Sequence, residues 1–362
     1  MAAAQQFRGR YAPGEDNQRN PYYDTEFPGV WFSRQPHRTQ PYEERCAPAA
    51  MREAAMKFRR IGLTVAFAIG LSSATQAAEM GFSVYPLGSM AFEAGVVPPP
   101  GLYVTTAVGY YNASIGGSLP IGGVIAVDAR AKFFSSTLNI LYVPQQEVLG
   151  GRIGISVNAP SGHMNLDANA LIGPIGVSRD VAGWGFGDTS IKAQLGWTHG
   201  NFNHMFYVMG VLPTGKYQPG FYPDVGLNRP AVDVGWGFTW LDTKLNLELS
   251  AVLGFTFNAV NTATDYKTGD EFHLEWSVGK KLSQQLTIGA VGYVYKQLTG
   301  DSGSGARLGP FKGQTIGVGP GLTYTTKVGD HIAIFNIRHY QELAVERRFG
   351  GNLSIASATL RF

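Results

Sequence analysis

The chain of 362 residues has one cysteine, few charges and no long apolar run, and each shortage excludes something. Cys46 alone cannot form a disulfide within the chain or build a multi-cysteine metal site. Charged residues make up only 15%, and the net charge of +3 misleads. Ten of the 29 basic and seven of the 26 acidic residues precede residue 78, which leaves 19 of each in the remainder. That balance argues against nucleic acid as a partner. The main apolar run, Ile61 to Leu71 with only Thr64 polar, is too short to cross a bilayer as a helix. No pair of histidines has ligand spacing with a carboxylate nearby, so no metal site is expected. The glycine-rich stretches Gly183 to Gly187 and Gly317 to Gly321 do not open helices, as a nucleotide loop requires, and Gly215-Lys216 is followed by Tyr217 rather than Ser or Thr. No cofactor is implied.

What the chain does have is glycine (47 residues), aromatics (12%) and strict two-residue alternation. From Leu245, one face reads Leu245, Leu247, Leu249, Ala251, Leu253, Phe255 and Phe257. The other reads Lys244, Asn246, Glu248, Ser250, Gly254 and Thr256, with Val252 the one apolar exception. Glu271, His273, Glu275 and Ser277 alternate with Phe272, Leu274, Trp276 and Val278 in the same way. Period-two alternation makes β-strands with one apolar and one polar face. These are roughly twice the usual 5–6 residues, the length that crosses a bilayer when tilted. The fold class is therefore all-β, an antiparallel transmembrane barrel of the bacterial outer membrane.

Twelve strands are expected near 102–111, 126–142, 151–159, 188–198, 202–212, 232–241, 244–257, 271–282, 286–297, 314–326, 331–341 and 353–362. Links at 199–201, 241–243, 283–285 and 327–330 are short. They alternate with long ones at 112–125, 160–187, 213–231, 258–270, 298–313 and 342–352. Short turns on one side and long loops on the other describe outer-membrane barrels, with the short turns periplasmic.

Ahead of the barrel, Lys57, Arg59 and Arg60 precede the short apolar run, which ends in Ser72-Ser73-Ala74-Thr75-Gln76-Ala77-Ala78. Basic head, apolar core and small-residue exit make residues 56–77 a signal peptide, cleaved after Ala77. Signal peptides start near the true N-terminus, so translation is expected from Met56 or Met51. Residues 1–55 then read as a disordered extension that is an artefact of the gene model. Residues 78–101 carry Pro98-Pro99-Pro100, which a central strand cannot hold. An ordinary periplasmic leader is favoured here over a plug of the barrel.

Alternation aims Asp128, Arg130, Lys132, Arg152, Lys192, Gln194, Lys244, Glu248, Glu271, His273, Glu275, Asn336, Arg338 and Arg361 into the lumen. Both signs occur, so these side chains select no one ion sign strongly, and many simply brace the interior. Trp184, Phe186, Tyr217, Phe221 and Tyr222 fall in long loops, as a candidate apolar capture site at the extracellular mouth or as an interfacial belt. A catalytic reading would need a Ser–His pair on the lipid face. His273, Glu275 and Ser277 share the lumen face instead, so no catalytic residue is assigned.

The run Val97-Pro98-Pro99-Pro100-Gly101-Leu102-Tyr103, with Gly185-Phe186-Gly187-Asp188, Leu212-Pro213-Thr214-Gly215-Lys216-Tyr217 and Gly317-Val318-Gly319-Pro320-Gly321-Leu322, resembles one bacterial family. Gly279-Lys280-Lys281-Leu282 and Tyr293 to Asp301 add to the likeness, which covers residues 80–362. The family is named for the meta-cleavage pathway of phenol degradation. The resemblance implies an outer-membrane, channel-like barrel of a Gram-negative bacterium, found with genes that break down aromatic compounds. It also implies that the terminal Phe362, on a face with Leu360, Ala358 and Ala356, is the signal read by the barrel-assembly machinery. Passive uptake of small hydrophobic or aromatic compounds is the leading expectation, with outer-membrane lipids as surroundings. A structural or adhesive barrel with a closed lumen, and a lipid hydrolase, are the alternatives. Association of protomers is left open.

Overall fold

The structure, a computed structural model, describes residues 78–172 and 176–362, with side chains outside 170–178. The expected extension (1–55) and signal peptide (56–77) lie outside the described residues. Among the described residues the strands are β1 Gly101–Ser114, β2 Ser118–Ile121, β3 Val124–Val127, β4 Arg130–Val143, β5 Glu147–Val148, β6 Gly151–Ile172, β7 Gly176–Phe186, β8 Thr189–His199, β9 Phe202–Leu212, β10 Ala231–Asp242, β11 Leu247–Asn258, β12 Glu271–Lys281, β13 Leu286–Gln297, β14 Gln314–Val328, β15 His331–Glu346 and β16 Gly350–Arg361.

Twelve of these, β1, β4, β6 and β8 to β16, form one closed antiparallel wall. Closure comes from two pairings. β1 runs against β16 from Tyr103 opposite Arg361 to Ser114 opposite Gly350, and β6 runs against β8 from Arg152 opposite Gly196 to Asn158 opposite Ser190. A closed wall leaves no unpaired backbone in the lipid, which is why barrels can span membranes. Outward positions such as Leu138, Ile140, Ile155, Val157, Phe206, Phe255 and Phe257 are exposed to the lipid. The inward residues Ser156, Gln194, Glu248, Ser250, Thr256, Glu271, His273 and Glu275 are buried. The wall is thus the outer-membrane barrel of a Gram-negative bacterium. Tight links join β8 to β9, β10 to β11, β12 to β13 and β14 to β15 at the end where β1 starts and β16 stops. That end is periplasmic in barrels of this class.

Three expectations are corrected. First, residues 160–187 are not a loop: β6 climbs past its pairing with β8 and pairs with β7 from Ser161 opposite Phe186 to Leu171 opposite Gly176. The Gly-aromatic alternation of β7 hides its strand character, because glycine offers no face. Second, the expected loop 342–352 shrinks to the turn 347–349, since β15 and β16 both run on.

Third, Asp128, Arg130 and Lys132 point outward and are exposed, while Ala129 and Ala131 between them are buried. At this extracellular end the β2–β3 hairpin and the tops of β4 and β6 enclose an apolar cluster including Leu119, Ile121, Ala126, Met164, Leu166 and Phe349. Outside is water and inside is packing, so the polar face turns outward, the reverse of the membrane zone. Arg130 stands opposite Asp167, and the Asp128 carboxylate accepts from the Gly117 N–H at 2.9 Å. Lys244 is also outside the lumen. It lies in the β10–β11 turn, where Asp242 accepts from the N–H groups of Lys244 and Leu245, both at 2.8 Å. Such carboxylate-capped turns need no strand residue.

Candidate functional site: the occupied lumen

Residues 78–100 run inside the barrel, from its extracellular end down to the start of β1. An irregular chain within a membrane wall must find partners for its peptide groups. The β10–β13 side of the wall and its neighbours supply them. Glu271 on β12 accepts from the Ser83 hydroxyl, Glu275 from the Met90 N–H at 2.9 Å, and Glu248 on β11 from the Glu93 N–H. Thr239 on β10 accepts from the Gly95 N–H at 2.9 Å. In return, Arg338 on β15 donates to the Ser89 carbonyl at 2.7 Å and Tyr340 to that of Gly88 at 3.3 Å. At the periplasmic end Tyr103 donates to the Pro99 carbonyl at 2.6 Å and Arg361 to that of Pro100 at 2.9 Å.

The middle of the segment is clamped by rings. Tyr85 stacks on His273 with centroids 3.5 Å apart and planes 17° from parallel. His273 Nε2 lies 2.9 Å from the Asp233 carboxylate, which also accepts from Tyr207 at 2.6 Å and Thr256 at 2.5 Å. Below the clamp the segment lies directly on the wall. A Cβ on Gly95 would sit 2.3 Å from the Phe238 carbonyl carbon, so only glycine allows this approach.

Toward the extracellular end, buried Arg229 donates to Thr268 at 2.9 Å and to the Glu79 carbonyl at 3.3 Å. Its guanidinium also lies 3.9 Å from Glu271. The Glu79 carboxylate accepts from Asn261 at 2.8 Å and Tyr217 at 3.2 Å. Burial raises the Glu79 carboxyl above its ordinary value, an effect partly offset by hydrogen bonds from Asn261, Thr264 and Tyr217 and by the Arg229 charge.

The opposite side of the lumen is open. A cavity of about 680 Å³ lies between the segment and the wall of β1, β4, β6, β8 and β16. Val84, Pro86, Leu87 and Met90 face it from the segment, and Thr105, Thr137, Asn139, Asn158, Ser190 and Lys192 face it from the wall. The volume falls within the roughly 300–1,000 Å³ of small-molecule sites, and one apolar face with sparse polar groups is their usual lining.

Among the residues expected in the lumen, Glu248, Glu271, His273, Glu275 and Arg338 hold the segment. Lys192, Gln194 and Asn336 line the cavity, and the Lys192 ammonium lies 5.7 Å from the Tyr207 ring centroid. Arg361 and Arg152 sit at the periplasmic end, Arg152 donating to Thr198 at 3.3 Å. The five aromatic residues expected at the mouth do not form one site, although Tyr217 packs against the apolar cluster that holds Phe221. Phe221 is in the apolar cluster, Tyr217 is half-buried against Glu79 and Asn261, and Tyr222 lies under Arg179 at 5.8 Å. Trp184 and Phe186 face outward on β7, with Trp184 against Phe134 and His163. Their side of the strand belongs to the outer surface, so they suit an interfacial belt.

Asp233, Tyr207, Arg229 and Asp301 are buried site residues that alternation alone did not single out. Asp233, between Val232 and Val234, did carry the signal of a charge amid apolar neighbours. Two of the stretches that carry the family resemblance meet in space. Asp188 accepts from the N–H groups of Gly215 at 2.9 Å, Leu227 at 2.8 Å and Asn228 at 3.1 Å. Thr214 binds Thr189 at 2.9 Å, so the motifs tie the loop 213–230 to the lower end of β7 and the top of β8.

The family model described as "Putative MetA-pathway of phenol degradation" matches residues 113–356. No curated protein matches the sequence. Among solved structures, an outer-membrane channel of Pseudomonas putida F1 is similar with a TM-score of 0.58 and 13% identity, covering 75% of this chain and 98% of that one. The translocator domain of the autotransporter NalP from Neisseria meningitidis follows with a TM-score of 0.42 and 12% identity, over 73% of this chain and 90% of that one.

Proposed function

The chain belongs to this phenol meta-pathway family, and on that premise we propose that it is a channel for passive uptake of small hydrophobic or aromatic compounds, with residues 78–100 acting as a partial plug. The observation that carries this reading is the cavity beside the segment, apolar on the segment side and ligand-sized. A hydrophobic solute gains from leaving water for such a surface, and the hydroxyl and amide groups and Lys192 opposite can orient it. The description of the family and the fold shared with the Pseudomonas putida channel agree with this assignment. Lipids surround the outer wall, and Phe362, at the periplasmic end of β16, is assigned the role of assembly signal.

A second reading, a barrel whose lumen stays closed, is favoured by the dense hydrogen bonding of the segment to the β10–β13 wall. A lipid hydrolase has less support, because His273 is covered by Tyr85 and Ser277 faces inward. The test is uptake of a labelled aromatic hydrocarbon by cells with and without the gene, alongside single-channel conductance of the refolded barrel. Saturable uptake that is lost on deletion, with little ionic conductance, is the expected result. Steady conductance without hydrocarbon-specific uptake would make the protein a general polar pore. Neither uptake nor conductance would leave the closed barrel.

A further inference from the structure

The residue that follows the expected signal-peptide cleavage site is also the one whose nitrogen reaches into the extracellular end of the lumen. Ala78 is buried, and its nitrogen lies 2.9 Å from Asp301 Oδ2. Asp301, in the loop after β13, is itself only 3% exposed. It accepts three more hydrogen bonds, from the Tyr266 hydroxyl at 2.5 Å, the Gly269 N–H at 3.0 Å and Gln297 Nε2 at 2.6 Å. All four donors are neutral groups if residue 78 is part of a longer chain. The side-chain ion pairs among the described residues join Arg229 to Glu271, His273 to Asp233, Lys281 to Glu93 and Arg348 to Glu342, and none includes Asp301. A buried carboxylate is costly without a counter-charge.

We propose that Asp301 is a binding site for the α-ammonium group created when the signal peptide is removed after Ala77. Cleavage hydrolyses the Ala77–Ala78 peptide bond, leaving a carboxylate on the released peptide and an amine, protonated at neutral pH, on Ala78. That ammonium supplies the missing positive charge and a charge-assisted hydrogen bond to Oδ2. Tyr266, Gly269 and Gln297 hold the carboxylate so that one oxygen faces the incoming terminus. Processing therefore fastens the top of the segment, and an unprocessed chain lacks the charge that locks it there. This role depends on the position of the segment in the lumen and not on what passes beside it.

The test begins with the intact mass of the protein from outer membranes, expected to place Ala78 first. Two variants follow, a Gly-Ser insertion between Ala77 and Ala78, which moves the ammonium by up to about 7 Å, and Asp301→Asn. Amide hydrogen exchange of residues 79–84 is the readout, with the strand peptides as an internal check of folding. Each variant is expected to raise that exchange by about tenfold to a hundredfold, the equivalent of one lost charged hydrogen bond. The double variant is expected to add little, because both remove the same contact. A mature chain starting at another residue, or an insertion that leaves exchange at 79–84 unchanged, overturns the proposal. The insertion keeps the test valid even if Asp301→Asn fails to fold, and no transport measurement enters.

Discussion

The two sides of the lumen treat the chain between them differently. The side built from β10 to β13 carries carboxylates and a histidine, and it grips the segment through peptide hydrogen bonds, ring stacking and direct backbone contact. The side built from β1, β4, β6 and β8 carries Thr, Ser and Asn, with Lys192 and Gln194 on β8, and stands off across a cavity. A wall of buried carboxylates is thus a fastening for a polypeptide, and a wall of mainly small hydroxyl and amide groups, with Lys192 among them, is a passage.

The difference can be broken most strongly at Gly95. Gly95→Val is expected to cost about 3 kcal/mol, since the new side chain meets backbone that cannot yield. Conductance of the refolded barrel should rise as residues 90–97 leave the wall. A smaller effect is expected from Glu275→Ala, which leaves the half-buried Met90 N–H without its acceptor at a cost of about 1–3 kcal/mol. Hydrogen exchange at residues 88–92 measures it. On the passage side, Thr137→Val should change segment exchange by less than about 0.5 kcal/mol, yet alter the concentration at which uptake of an aromatic probe saturates. If Thr137→Val loosened the segment as much as Glu275→Ala, the two walls would not differ in kind.

The smallest effect concerns the extracellular loops. Asp265 accepts from the hydroxyl of Ser304 at 2.6 Å and its N–H at 3.0 Å, and these bonds lower its carboxyl below the ordinary value. A group with a depressed folded value stabilises above its unfolded value and loses that contribution as pH falls through the folded one. Exchange at Ser304 is therefore expected to stay slow through the ordinary carboxylate range and to quicken only below it. Quickening already at the ordinary carboxylate value would show that the contact is not made in solution.

Much of the barrel was legible from alternation, because a membrane wall imposes one rule on every strand: apolar to lipid, polar to lumen. Glu248, Glu271, His273, Glu275 and Arg338 were found this way. The same rule misplaced Asp128, Arg130 and Lys132, because it inverts where the strands leave the bilayer. β7 escaped it because Gly183 and Gly185 have no side chains to alternate, and Lys244 escaped it because a turn extended the pattern beyond the strand.

The period of the side chains and the lengths of the links were enough to specify a twelve-stranded outer-membrane wall and its direction, since both are local properties of a chain in a bilayer. Where residues 78–100 go was not written in that period. A proline-rich, non-alternating stretch satisfies the local rules equally well below the barrel or within it. Its place depends on acceptors contributed by β10, β11 and β12 and on Gly95 meeting Phe238, contacts between residues some 140 to 190 positions apart that exist only once the wall has closed.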